Sequence, residues 1–204
     1  MKARFCGAFL VLALALGQWL EPSPAEAAAP GTIQPSTADS WLGGGSLAVD
    51  TNYNTWTTLV VTNKAPTNRA VVRFDLPADW AIKTATLSLY ITSWTANRTY
   101  AAHRITAPWV EDQVTWNSRA TGTPWTTPGG DVNASATATA TTGTSAGVWR
   151  DWDIIADVRL WQTGTTNYGT RIRDGDEGGQ GGKQTEFASN LNGTAANRPK
   201  LVVT

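Results

Sequence analysis

Thr84-Ala85-Thr86-Leu87-Ser88-Leu89-Tyr90-Ile91-Thr92 alternates without a slip. Ala85, Leu87, Leu89 and Ile91 fall on one side, and Thr86, Ser88, Tyr90 and Thr92 on the other. A period of two with one apolar side is the pattern of an extended strand, one face in a core and one in water. The segments around it repeat the pattern more weakly. Residues 70–76 place Val72, Phe74 and Leu76 against Val71, Arg73 and Asp75, and Pro77 ends the run. Residues 98–106 read as a further strand in which either Tyr100 and Ala102 or Ala101, His103 and Ile105 face inward; a bulge would reconcile the two.

Working outward, residues 32–36 form an edge strand that tolerates Pro35. Gly43-Gly44-Gly45 is a loop, residues 56–62 a strand, and residues 63–68 a turn holding Lys64, Pro66 and Asn68. Residues 134–141 alternate Ala with Ser or Thr, which suits a flat strand against a crowded layer, the alternative being a disordered Ala/Thr linker. Residues 148–154 are a strand. Residues 155–162 are predicted as one or two helical turns, with Ile155, Val158 and Trp161 on one side and Gly164 closing them. Residues 169–173, 185–189 and 200–203 complete the strands, and residues 174–182 form a glycine-rich loop. About ten or eleven short strands with almost no helix predict an all-β fold: a single antiparallel β-sandwich, jelly-roll-like, in one domain.

The first 27 of the 204 residues read differently. Lys2 and Arg4 precede an apolar run over residues 5–16, and Ala25-Glu26-Ala27 offers a small-x-small cleavage site. This is the pattern of a secretory signal peptide. The run falls well short of the roughly 20 residues that span a bilayer. The expectation is a secreted, extracellular domain over residues 28–204, with no membrane insertion. Cys6, the only cysteine, lies in the leader, so the domain has neither a disulfide nor a thiolate site. Removing Lys2, Arg4, Glu21 and Glu26 leaves fourteen basic and fourteen acidic residues. Such a balance gives no electrostatic footprint for nucleic acid. Tryptophan is the unusual component: of eleven, only Trp19 is in the leader.

Two stretches concentrate it. One is Pro108-Trp109-Val110-Glu111-Asp112-Gln113-Val114-Thr115-Trp116-Asn117-Ser118-Arg119, and the other is Val148-Trp149-Arg150-Asp151-Trp152-Asp153-Ile154, running on to Val158 and Trp161. With Arg73-Phe74-Asp75-Leu76 and Ala85-Thr86-Leu87-Ser88-Leu89-Tyr90 before them, they resemble the signature of the DNRLRE domain, also filed as carbohydrate-binding module family 96. Asn167-Tyr168-Gly169, Phe187-Ala188-Ser189 and Arg198-Pro199-Lys200-Leu201-Val202-Val203 are similar to its last third. One departure is Ile155, where the family more often has Thr. The resemblance runs from about Ile33 to the end. It implies a β-sandwich, an extracellular setting and polysaccharide as the partner. Members that bind acidic polysaccharides are described as using basic residues; this chain offers Lys64, Arg69, Arg73, Lys83, Arg98, Arg104, Arg171 and Arg173, without a dense lysine cluster.

His103 is the only histidine, and nothing near it resembles a nucleophile elbow, so a hydrogen-bonded strand histidine is the favoured reading. A glycosidase would draw two acids from Glu111, Asp112, Asp151, Asp153, Asp174, Asp176, Glu177 and Glu186; Glu111 and Asp153 read better as turn ties. A lyase would draw on Tyr168, Arg171 and Arg173. The chain reads as no enzyme. Asp174, Asp176 and Glu177 are candidate ligands for a structural calcium, against the plainer reading of a solvated loop. For sugar stacking and its polar flank the candidates are Trp94, Arg98, Tyr100, Tyr90, Trp56 and Arg73, with Trp125 also near a loop. Trp109, Trp116, Trp152 and Trp161 read as core. The functional expectation is a non-catalytic domain that binds an extracellular or cell-wall polysaccharide. The alternatives are a structural surface or matrix protein that packs against other proteins, or a small polysaccharide lyase or hydrolase.

Overall fold

The computed structural model describes residues 31–204 except 46, 47, 65, 79 and 180. The expected signal segment, residues 1–27, lies outside the described residues. The axis of the fold is β5 (Ala85–Trp94), and Leu87, Leu89 and Ile91 are fully buried, as the alternation predicts. Its ten residues carry neighbours on both edges. β10 (Val148–Asp153) pairs along residues 86–91 of one edge. β13 (Lys200–Val203) and β12 (Gln184–Ala188) share the other, at residues 85–88 and 91–94. β1 (Gly31–Ile33) extends this layer beyond β13, and β3 (Thr58–Thr62) extends it beyond β12.

The second layer is built on β4 (Asn68–Arg73). β2 (Ala38–Gly43) lies on one of its edges; on the other lie β11 (Thr170–Asp174), then β6 (Thr99–Arg104) and β9 (Ala138–Thr141). β3 and β4 meet in register only at Thr62 and Asn68, so the sheet turns a corner there. The result is an eleven-stranded antiparallel sheet curled into an all-β sandwich. A separate two-stranded ribbon pairs β7 (Ser118–Ala120) with β8 (Thr123–Pro124).

The main core fills the space between the layers. Leu59, Leu87, Leu89, Phe187 and Trp152 face Val72, Tyr100, Ala102 and Ile172 across it. The helix α1 (Ile155–Gln162) caps one side with Val158 buried and Ile155 and Trp161 against the core, as the 3.6-residue spacing predicts. Among the described residues no helix is long and apolar enough to cross a membrane.

A second, smaller core lies on the opposite face of the β4 layer. Leu42, Val71, Ile105, Trp109, Val114 and Trp125 form it under the long connection between β6 and β9. This explains two departures from the sequence reading. β6 needs no bulge: its registers with β11 and β9 are continuous, and both of its faces are covered, so Tyr100 and Ala102 on one side and Ala101 and His103 on the other are all buried. β2 shows no alternation at all, because every residue from Ala38 to Gly43 is buried, and the sequence reading passed over it.

Candidate functional site: an arginine-lined cleft

The second core covers only part of its face. Strand alternation points Ile172 into the main core and therefore turns Arg171 and Arg173 of β11 outward. Register sets Arg171 beside His103 of β6 and Val71 of β4, and Arg173 beside Ala101. Arg69 comes from the same outward phase of β4, since Ala70 and Val72 are in the main core. Above them the chain returns from Ile105 through an isolated bridge to Val132. The carboxylate of Asp131 shapes this return by accepting from the backbone N–H groups of Thr126 (3.0 Å) and Thr127 (2.8 Å). Between the return and the strands lies a cleft of about 600 Å³ lined by Arg69, His103, Arg171, Arg173, Thr106 and Asp131, among others.

Gly130 lines the cleft, with Gly129 just before it. Both have left-handed backbone, φ 85° and 102°, which glycine adopts without a Cβ penalty. A Cβ at Gly129 would collide with Arg69 Nη1 and come within 2.8 Å of the Trp116 ring. The freed carbonyls are taken by the arginines. Arg69 Nη1 donates to the Gly129 carbonyl at 2.9 Å, and Arg171 Nη1 donates to those of Gly129 (3.2 Å) and Gly130 (2.9 Å). The Arg69 guanidinium also lies 4.6 Å from the Trp116 ring centre, in cation–π contact.

The charge in the cleft is unevenly met. Glu177 accepts a two-pronged bond from Arg69, 2.8 Å on each arm, and a longer contact from Arg173 at 3.4 Å. Arg171 has no carboxylate partner among the described residues. Burial first, then the neighbouring Arg69 and Arg173 charges, push its guanidinium down to about 9. The Nε groups of Arg171 and Arg173 are buried and donate to nothing among the described residues. His103 Nδ1 lies 3.0 Å from the Asn133 carbonyl, which can only accept, so Nδ1 carries the proton and Nε2 is a bare acceptor. That Nε2 is buried and unpartnered too. Burial holds the His103 imidazolium below its usual range, with the arginines adding to the effect. The residues lining the cleft thus hold unused N–H donors beside one unused acceptor, closed to solvent as they stand, the complement of a carboxylate flanked by hydroxyls.

A family profile for carbohydrate-binding module family 96 matches residues 32–204. The chain belongs to carbohydrate-binding module family 96. A search of curated proteins gives no significant match. The family 96 assignment makes this a carbohydrate-binding domain and turns attention to where the sugar-contact candidates lie.

They do not converge. Tyr100 is a correction: it is 0% exposed, packed edge-on to Phe187 at 5.8 Å, and cannot be a surface platform. Trp125 is likewise buried, its indole N–H given to the Thr115 carbonyl at 3.0 Å. Trp94, at the end of β5, is half-buried against the core. Arg98 is spent on Asp174, by bonds of 2.8 and 2.5 Å, and Arg73 lies over Trp109 with 5.4 Å to the ring centre. Two aromatic patches do reach the surface. Trp56, 49% exposed, leans edge-on against the stacked pair Trp41–Tyr53. Tyr90 meets Trp149 at 5.3 Å on the outer face of the first layer, and Lys200 Nζ sits 3.9 Å from the Trp149 ring centre.

The proposed calcium loop in this family 96 domain is also corrected. Asp174, fully buried, is held by Arg98; Glu177 is held by Arg69 and Arg173; Asp176 is exposed and 3.5 Å from Arg98. Asp174 and Asp176 turn to Arg98 and Glu177 turns to Arg69 and Arg173, so the three carboxylates are taken up by arginines. Among the described residues no group of three His, Cys, Asp or Glu is placed to hold a metal. The sequence reading missed the cleft itself. Arg171-Ile172-Arg173 on a strand was a signal of a charged face, but only the register brings Arg69 and His103 to it.

Proposed function

We propose that this family 96 domain is a secreted, non-catalytic module that binds an extracellular or cell-wall polysaccharide, and that the Arg69–Arg171–Arg173 cleft receives an acidic sugar unit of that polymer. The observation that carries the reading is the set of buried, unpartnered groups, Arg171 Nε, Arg173 Nε and His103 Nε2, in a cleft with an unpaired arginine charge. A uronate carboxylate would accept from the arginines, and a ring hydroxyl would donate to His103. Much of this gain is offset by stripping water from the sugar, so affinity per site is modest. The reading is one of equilibrium binding: Nδ1 of His103, the only histidine, is committed to a backbone carbonyl.

The test is affinity electrophoresis of the protein in gels carrying polyuronate, sulfated or neutral polysaccharide, at low and high salt. Retardation by an acidic polymer that fades with salt is the expected result. Equal retardation by a neutral glucan, insensitive to salt, would move the site to the Trp56 or Tyr90–Trp149 patch. No retardation by any polymer would favour a structural role. Release of unsaturated ends from the polymer would overturn the non-catalytic reading. N-terminal sequencing of exported protein tests processing after Ala27.

A further inference from the structure

Asp39 is the second residue of β2 and is 1% exposed. One carboxylate oxygen, Oδ2, accepts from the Ser36 hydroxyl at 2.6 Å and the Asn190 backbone N–H at 2.7 Å. The other, Oδ1, is buried and receives nothing from the described residues. Glu111, from the stretch between Trp109 and Trp116, joins the same group. Its Oε1 accepts from the Asp39 backbone N–H at 2.8 Å and from Asn190 Nδ2 at 2.9 Å. Asn190 then leaves its own Oδ1 buried without a partner.

Two carboxylates and a side-chain amide from three distant segments therefore share hydrogen bonds, and two of their oxygens are orphaned. No Lys, Arg or His among the described residues forms an ion pair with Asp39 or Glu111. Asp39 is buried and Glu111 half-buried, and like charges so placed without a counter-charge are unfavourable. Every orphan is an oxygen and no Cys or His is at hand, so the chemistry selects a hard cation over a thiophilic one.

We propose that Asp39, Glu111 and Asn190 form a divalent-cation site of calcium type, with water completing the shell. The site ties together β2, the Trp109–Trp116 segment and the turn after β12. Asn52 carries the tie onward by donating to the Glu111 and Val114 carbonyls, at 2.8 and 2.7 Å, and the Ser189 hydroxyl holds the Trp56 carbonyl at 2.7 Å. The ion thus sets the end of the sandwich that presents Trp56. It is independent of the arginine cleft.

The experiment is a thermal melt of chelator-treated protein with calcium chloride, against sodium chloride of matched ionic strength, together with the calcium content after equilibration. Calcium at a hundredfold above its Kd is expected to raise Tm by about 5 to 10 °C, with one ion per chain. Asp39→Asn and Glu111→Gln should each abolish the shift and the stoichiometric calcium, while Asp176→Asn keeps both. Terbium luminescence excited through tryptophan gives a second readout on the wild-type chain, independent of whether the variants fold. No bound calcium and no shift beyond that of sodium chloride would overturn the proposal. So would a shift that survives in folded Asp39→Asn.

Discussion

Arg173→Gln separates ligand binding from folding in the cleft. The Arg173 side chain is 33% exposed and its only carboxylate contact is Glu177 at 3.4 Å. Exposed pairs of this kind contribute about 0–1 kcal/mol, and removing a charge beside Arg171 and Arg69 acts in the opposite direction. Glu177 stays in place through its two 2.8 Å bonds to Arg69. For a chain of this size 1 kcal/mol moves Tm by about 2–4 °C, so Tm should change by no more than that. Binding is another matter. A charge-assisted hydrogen bond to a ligand carboxylate is worth about 1.5–3 kcal/mol net, which is roughly ten- to a hundredfold in Kd. Isothermal titration with an acidic oligosaccharide, and electrophoresis in gels carrying the matching polymer, would read it. The salt dependence should shrink at the same time, because one counter-charge is lost. An affinity unchanged within twofold, in a variant with wild-type Tm, would refute the assignment of the cleft as the sugar site.

Three further outcomes follow from the same geometry. Tyr100→Ala, which removes a fully buried ring, should cost about 3–5 kcal/mol and lower Tm by about 10 °C; a change in sugar affinity without loss of stability would contradict its place in the core. Asp174→Asn breaks the buried bond to Arg98 and should destabilise by about 3 kcal/mol in denaturant titration, with no effect of chelator on the size of that loss. His103 is held below its usual range, so below pH 6.5 the unfolded chain binds the proton that the folded one refuses, and stability falls as pH drops through that window. The stability difference between wild type and His103→Gln should therefore move against the wild type between pH 7.5 and about pH 5, and a flat or opposite trend would count against a neutral, buried imidazole.

How much of this was legible depends on how many faces of a strand are buried. β5 was readable because its inner face is apolar and its outer face carries Thr and Tyr, so the period of two survives in the sequence. β13 and α1 were legible for the same kind of reason. β2 was not: Ala38, Asp39, Ser40, Trp41 and Leu42 are all buried, and a strand covered on both sides has no need to alternate. β6 gave two conflicting phases because both were correct. Tyr100 illustrates the cost, since its ring reads equally well as a surface platform until the layer on each side is known. Arg69 and His103 are far in the chain from Arg171 and Arg173; only the register of β4, β11 and β6 makes them neighbours, and register is not written in any one segment.

The same two-sided burial explains why a charged cleft exists at all. A sandwich layer that met only solvent on its outer face would carry scattered, hydrated arginines. Here Trp109, Trp125, Ile105 and Val114 seal part of that face against Leu42 and Val71, and the covering chain must come back to the sheet beside Arg171. It does so through Gly129 and Gly130, whose buried carbonyls would otherwise lack donors. The arginines supply them, and that fixes their guanidinium groups in one place. Anchoring uses one nitrogen of Arg171 and leaves Nε buried and unbonded. The groups that close the second core are therefore the groups left facing the cleft with donors to spare. An incoming carboxylate would meet donors already fixed by the fold, so little further ordering is needed on binding. The fold's need to satisfy two glycine carbonyls and the proposed binding of an acidic sugar would draw on the same arginines.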